Sequence, residues 1–245
     1  MSILPTDPPQ PSATVTFLAG WRAAWTSVFS LVLIGTYVGV GALAHDYGFS
    51  LGWVLLSTVL VWAAPAQVIL LSALGAGASP LEAGLAVGLS GVRLLPMVVS
   101  LLALIERPDN RARDLILPSH FTAVSMWVES LRLLPTIPRQ ERIVFCNGLG
   151  TAFMVAALGG TLIGFYLAAS LSALLTAGLL FLTPMSFLIS TARNSKLLVD
   201  RLALCLGLLL GPSLAYEGVW LDLMWTGILA GSAAYAVHRL RKAWR

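Results

Sequence analysis

The chain reads as an all-α polytopic membrane protein with about six full transmembrane helices and two broken or re-entrant segments. Three observations point there. Of 245 residues, 58% are hydrophobic and only 11% charged, against about 25% charged in soluble domains. The mean hydropathy is +0.86. The apolar residues also gather into runs of the length a bilayer demands, about 20 residues per spanning helix.

In chain order, residues 1–16 form a proline-rich tail, MSILPTDPPQPSATVT, without the basic and apolar succession of a cleaved signal peptide. A single transmembrane domain follows over 17–240, and residues 241–245 are a basic tail. Six segments are long enough to span: 26–45, 81–105, 143–166, 172–191, 197–215 and 220–238. Two others are ambiguous. Segment 51–74 is interrupted by WAAPAQ, Trp62 to Gln67; segment 119–134 is short and carries His120, Glu129 and Arg132.

Net charge is +4. The basic residues sit between apolar runs, so they read as topology signals and not as a nucleic-acid footprint. If both ambiguous segments re-enter, fourteen of the fifteen lysines and arginines fall on one side. The other side then carries His45, Asp46, Glu82, Glu217 and Asp222. The positive-inside rule makes the first side cytoplasmic, with both termini inside. Residues 106–118 then face the cytoplasm.

The fifteenth basic residue is Arg93, inside the apolar run Leu81 to Ile105. A charge at bilayer depth costs roughly 2.5–3.5 kcal/mol on insertion scales and usually faces a bundle interior or a wet cavity. It is therefore a candidate for holding an anionic substrate group through a two-point contact. The alternative is a guanidinium on helix-end carbonyls that locks two helices. Pro96, three residues on, removes a backbone donor and frees the carbonyl of Val92. Pro65, Ala66 and Gln67 form a second candidate: small residues and proline allow unwound backbone, and Gln67 offers donor and acceptor groups. The alternative there is a kink with Gln67 bonded to a neighbouring helix. Pro184 repeats the theme as a helix break, with a kink as the favoured reading. His120 is a candidate for proton coupling or an interfacial histidine, with Ser119 as a helix N-cap. Glu129 and Arg132 read as a surface pair. GxxxG occurs at Gly35–Gly39, Gly84–Gly88, Gly160–Gly164, Gly207–Gly211 and Gly227–Gly231, which permits close helix approach within the bundle or to a partner helix.

Enzyme chemistry is disfavoured. The three histidines lack metal-ligand spacing, no paired carboxylates lie within a span, and there is no CxxC. No Walker or dinucleotide motif is present, so neither metal nor other cofactor is expected and the chain does not hydrolyse nucleotide itself. The competing non-enzymatic function is a membrane scaffold or sensor whose broken helices are packing irregularities.

FLAGWRAAW, GTYVGVGALAHDYGFS, WAAPAQVILLSALGAGASPLEA, GVRLLPM, GTAFMVAALGGTLIGFYL and LTAGLLFLTPMSFLI occur in this order. Together they resemble the large subunit of the AzlC-type branched-chain amino acid permeases over most of residues 17–240. The resemblance implies a secondary carrier in a bacterial plasma (inner) membrane that exports branched-chain amino acids with a small AzlD-like membrane subunit. Departures exist. The family usually has Ser-Gln at Ala66-Gln67, Asn-Leu-Arg-His near Gly91 to Leu94, and an acidic pair where Ser119-His120 stands here.

Overall fold

The computed structural model describes residues 12–170, 172–195, 197–218 and 222–243. These residues are helical throughout, without a strand among them. The elements are α1 (Ala13–Trp25), α2 (Val28–Asp46), α3 (Leu51–Val61), α4 (Ala64–Gly75), α5 (Pro80–Gly91), α6 (Leu95–Ile105), α7 (Ala112–His120), α8 (Val124–Leu133), α9 (Arg142–Leu167), α10 (Ala173–Asn194), α11 (Leu198–Tyr216) and α12 (Asp222–Ala243). Helix α1 takes in the last four residues of the expected tail.

Where helices start explains much of the layout. Four that begin beside polar loops carry a serine cap: Ser12, Ser27, Ser50 and Ser79 accept from Val15, Phe29, Trp53 and Glu82 backbone amides. Glu82 completes a capping box on α5, with Pro80 at its first turn. Helices α4 and α8 instead have Ala63 and Ala123 at the N-cap and no side-chain cap.

Four stretches are long and apolar enough to cross a membrane: Val28–Asp46, Pro80–Ile105, Arg139–Leu167 and Leu198–Tyr216. In Pro80–Ile105, α5 and α6 join through one 3-10 turn, Val92–Leu94. The carbonyl of Val92 accepts from the Leu95 amide there. The donor lost to Pro96 is thus replaced by tightening the helix, not by opening it. The expected break at Pro184 falls on a residue whose side chain lies outside the described set; the helical assignment runs through it from Ala173 to Asn194.

The chain divides into two compact units, Met1–Met185 and Ser186–Arg245. In the first, α9 is the central post. Helix α2 runs parallel to it at backbone contact: a Cβ on Gly160 would lie 2.6 Å from the Ile34 carbonyl oxygen, and one on Gly164 would lie 1.9 Å from that of Val38. Helix α1 is held against the start of α9 in the same way, through Gly20 against Phe145 and Gly148 against Phe17. Lipid supplies no hydrophobic drive between helices, so such close backbone packing is what associates them. The buried core includes Leu33, Tyr37, Val40, Leu71, Leu101, Met126, Leu149 and Phe153. In the second unit α11 and α12 pack on each other, with Gly211 facing Thr226.

Candidate functional site

The first helix break begins at Trp62. It caps α3 with φ 37° and ψ 39°, the left-handed region, and is the one non-glycine residue with positive φ among those described. That conformation costs about 1–2 kcal/mol for a residue with a side chain and persists only where its surroundings over-determine it. Here they do. Trp62 Nε1 donates to the Phe121 carbonyl at 2.7 Å. Its ring stacks on Tyr37 at 6.3 Å between centroids and meets Phe121 edge-on at 6.4 Å.

Beyond the break the chain reverses. Gln67 Nε2 reaches the Val54 carbonyl at 3.4 Å, Ser57 Oγ at 2.8 Å and Thr58 Oγ1 at 2.9 Å. A continuous helix would put Gln67 about 20 Å along the axis from Val54. Gly75 at the far end of α4 packs on the Tyr47 ring, and Tyr47 lies four residues before α3. The pair α3–α4 therefore starts and finishes at one end of the bundle, as a re-entrant hairpin does.

The second break, Phe121–Ala123, meets the first. Besides the bond to Trp62, His120 Nε2 pairs with the Val59 carbonyl at 2.9 Å; that nitrogen carries the proton, since a carbonyl only accepts. The Phe121 ring lies against Gly150. The helix boundary differs from the sequence expectation. Ser119 lies in the last turn of α7, with its hydroxyl on the Leu115 carbonyl, and the following helix starts at Val124. Pro118 lies inside α7, and Thr122 Oγ1 donates to its carbonyl at 2.8 Å. Two uncapped N-termini, α4 and α8, thus open beside one another within the protein. Their first-turn amides lack side-chain partners and carry the positive end of each helix dipole.

Pro65, Ala66 and Gln67 all lie in the first turns of α4, and Ala66 and Gln67 are buried. Gln67 is 0% exposed, and its Oε1 has no hydrogen-bond partner among the described residues. Ser57 and Thr58 stand at its amide, and the Thr58 hydroxyl lies 3.4 Å from that of Thr161. These hydroxyls were not singled out from the sequence, although Ser57-Thr58 is a polar pair in an otherwise apolar run.

Arg93 is placed differently from the expectation of an interior residue. It sits in the 3-10 turn between α5 and α6 and is exposed. It makes no hydrogen bond or ion pair among the described residues, with Gln67 or any other. Its neighbours Val92, Leu95 and Val99 are exposed as well. The helix-locking role considered for it is filled by Arg142, which donates to the Leu104 and Ile137 carbonyls at 2.8 and 2.9 Å. The supposed surface pair is also corrected. Glu129 is 4% exposed; it accepts from Arg132 Nε at 2.7 Å and from the Ser27 hydroxyl that caps α2. Sequence spacing finds the Arg132 contact but has no way to see Ser27, 102 residues away.

Residues 28–171 match the family model described as AzlC protein. The match spans α2 through α9, so both breaks and the Gln67 cluster lie within it. No curated protein and no solved structure matches the chain.

Proposed function

The chain belongs to the AzlC family, and on that premise we propose that it is the large subunit of a secondary carrier that exports small amino acids, branched-chain ones foremost. What stands independently of the proposal is coarser: a multi-pass helical membrane protein of a family associated with branched-chain amino acid transport. The observation that carries the finer reading is the meeting of two helix breaks in mid-bundle, each followed by an uncapped N-terminus, with the unpartnered oxygen of Gln67 in the first turn of α4. First-turn amides with a dipole behind them suit a carboxylate, and an amide oxygen suits the polar head next to it. The aliphatic side chain of the substrate would meet Tyr37, Trp62 and Phe121.

Arg93 enters the proposal from outside this cluster. A guanidinium exposed at membrane depth with no protein partner needs one from a substrate or a second chain. The α5–α6 face around it presents Leu85, Leu89, Val92 and Leu95, and nothing among the described residues comes within 4 Å of a Cβ at Gly84 or Gly88. A small AzlD-like subunit would seat there, with Arg93 meeting the substrate carboxylate on its way through. His120, bonded to α3 at the break, is placed to feel any movement there and remains the candidate for proton coupling. The membrane is a bacterial plasma membrane, with the N- and C-termini inside.

The test is efflux of labelled leucine or valine from loaded vesicles, with and without a co-expressed small subunit. Arg93→Leu and Arg93→Lys are compared at matched membrane abundance. Arg93→Leu strands no buried partner, so it should fold normally; lysine lacks the planar fork. Low efflux in both supports the substrate role of Arg93, and unimpaired efflux in Arg93→Leu rejects it. Absence of efflux from the parent chain under both conditions rejects the carrier.

A further inference from the structure

Arg93 stands where lipid offers it nothing. Pro80–Ile105 is a 26-residue apolar stretch, and Arg93 lies at its middle, about 20 Å from either end at the usual helical rise. Its guanidinium carries five donors. It is exposed and has no hydrogen bond or ion pair among the described residues. An unpaired charge at this depth is costly, so a neighbour that accepts those donors stabilises the span. The face beside it is shaped for a helix. Leu85, Gly88, Val92, Leu95 and Val99 are exposed at spacings of three and four, which puts them on one side of the span. Nothing among the described residues comes within 4 Å of a Cβ at Gly84, Gly88 or Gly91. A second helix can therefore reach the backbone there, as α2 reaches α9 at Gly160 and Gly164. Lipid alone would satisfy the apolar side chains; it does not satisfy the arginine next to Val92.

A second copy of this chain does not supply the missing anion. In the four stretches able to cross a membrane the carboxylates are Asp46, Glu82, Glu141 and Asp200, each within three residues of an end. Asp222 opens α12. Glu129 is buried but already engaged by Ser27 and Arg132. A copy seated symmetrically on the same face would also bring arginine against arginine. We propose that the α5–α6 face is the seat of a helix from a different membrane protein, one that carries an aspartate or glutamate at mid-membrane opposite Arg93 and small residues opposite Gly84 and Gly88. Carboxylate and guanidinium pair through two parallel hydrogen bonds and neutralise each other in hydrocarbon. The seat gives a chemistry to the second chain of the carrier reading, and rests on that reading only for what the pair does in transport. There, a substrate carboxylate that reaches Arg93 displaces the carboxylate of the helix.

The seat is tested without transport and without amino acid. The purified full chain, dye-labelled in detergent micelles, is titrated with acceptor-labelled synthetic helices of about 25 residues. These are leucine and alanine with one Gly-xxx-Gly and either glutamate or leucine at the centre. Energy transfer should show the glutamate helix bound about tenfold more tightly than the leucine helix, or better. Arg93→Leu and Arg93→Gln strand no partner within the chain. Each should keep a single symmetrical gel-filtration peak and lose the preference. Equal binding of the two helices to the parent overturns the proposal, as does a preference that survives both variants. Energy transfer between two labelled copies of the parent that Gly88→Ile abolishes, with no preference between the helices, makes the face a seam between copies and also overturns it. Loss of the preference leaves the carrier reading to be judged by efflux. A preference for the glutamate helix in a chain without efflux removes the carrier and leaves the seat.

Discussion

Single residues hold the two breaks together, and Trp62 does most of this. Its left-handed backbone is strained, and the strain is opposed by one hydrogen bond and two ring contacts. Phenylalanine would keep the ring stack on Tyr37 and lose Nε1. The Phe121 carbonyl would then keep only the Ala123 amide as a donor, and loss of the indole bond costs about 0.5–1.5 kcal/mol. Trp62→Phe is expected to lower Tm by several degrees in purified protein. Trp53→Phe is the control, because Trp53 stacks on Phe49 without a bond to its indole nitrogen. Equal melting of the two variants would mean that the tip-to-tip bond does not hold the breaks together.

At the scale of elements, glycine decides which helices touch, and here the sequence is ambiguous in an instructive way. Five GxxxG pairs are identical as patterns. In the structure Gly160–Gly164 puts α9 on the backbone of α2, whereas Gly84–Gly88 and Gly227–Gly231 meet nothing within 4 Å among the described residues. The pattern reports the capacity for close approach, not whether another helix takes it up. A methyl group on Gly164 would sit 1.9 Å from the Val38 oxygen and one on Gly148 2.0 Å from that of Phe17, so a backbone must move in either case. Gly164→Ala and Gly148→Ala should each sharply reduce membrane abundance. Gly84→Ala should leave abundance of the chain expressed alone unchanged, with the gain of helix propensity, about 1 kcal/mol, acting in its favour. Quantitative blotting of membranes reads both, and similar losses at all three positions would refute the packing account.

The same ambiguity explains what was legible at the breaks. Pro65 and the amide of Gln67 mark the first break because both are costly in an apolar helix. The second break has only Pro118 and the short polar length of its segment, and the helix start lies at Val124, a few residues beyond the Ser119 cap that the sequence predicts. The exposure of Arg93 in the chain alone and the burial of Glu129 both differ from what their sequence neighbourhoods predict, and for one reason. Exposure depends on which elements pack around a residue, and a run of sequence shows only its neighbours on the same helix. Glu129 is buried by the start of α2, while Arg93 lies on a face that α5 and α6 leave uncovered.

At the scale of the first unit, hydrogen bonds tie distant segments into one end of the bundle. Thr16 bonds to Glu141, Ser27 to Glu129, and Arg142 to the Leu104 carbonyl. The start of α2, the ends of α6 and α8 and the start of α9 are therefore together. With α3–α4 doubling back, Arg22, Arg107, Arg111, Arg113, Arg132, Arg139 and Arg142 belong to this end, whereas Asp46, Gly75 and Ser79 belong to the other. Across one bilayer the positive-inside rule predicts that such an asymmetry puts the arginine end in the cytoplasm. A variant with Cys146 and Cys205 replaced by serine gives a clean background for single cysteines at Asn110 and Ala76. A membrane-impermeant thiol reagent applied to intact cells should label Ala76→Cys and spare Asn110→Cys. Labelling of Asn110→Cys alone would invert the molecule. Labelling of both would place the two ends of α5–α6 on one side, which is incompatible with a crossing from Pro80 to Ile105 and with the re-entrant reading of α3–α4 that precedes it.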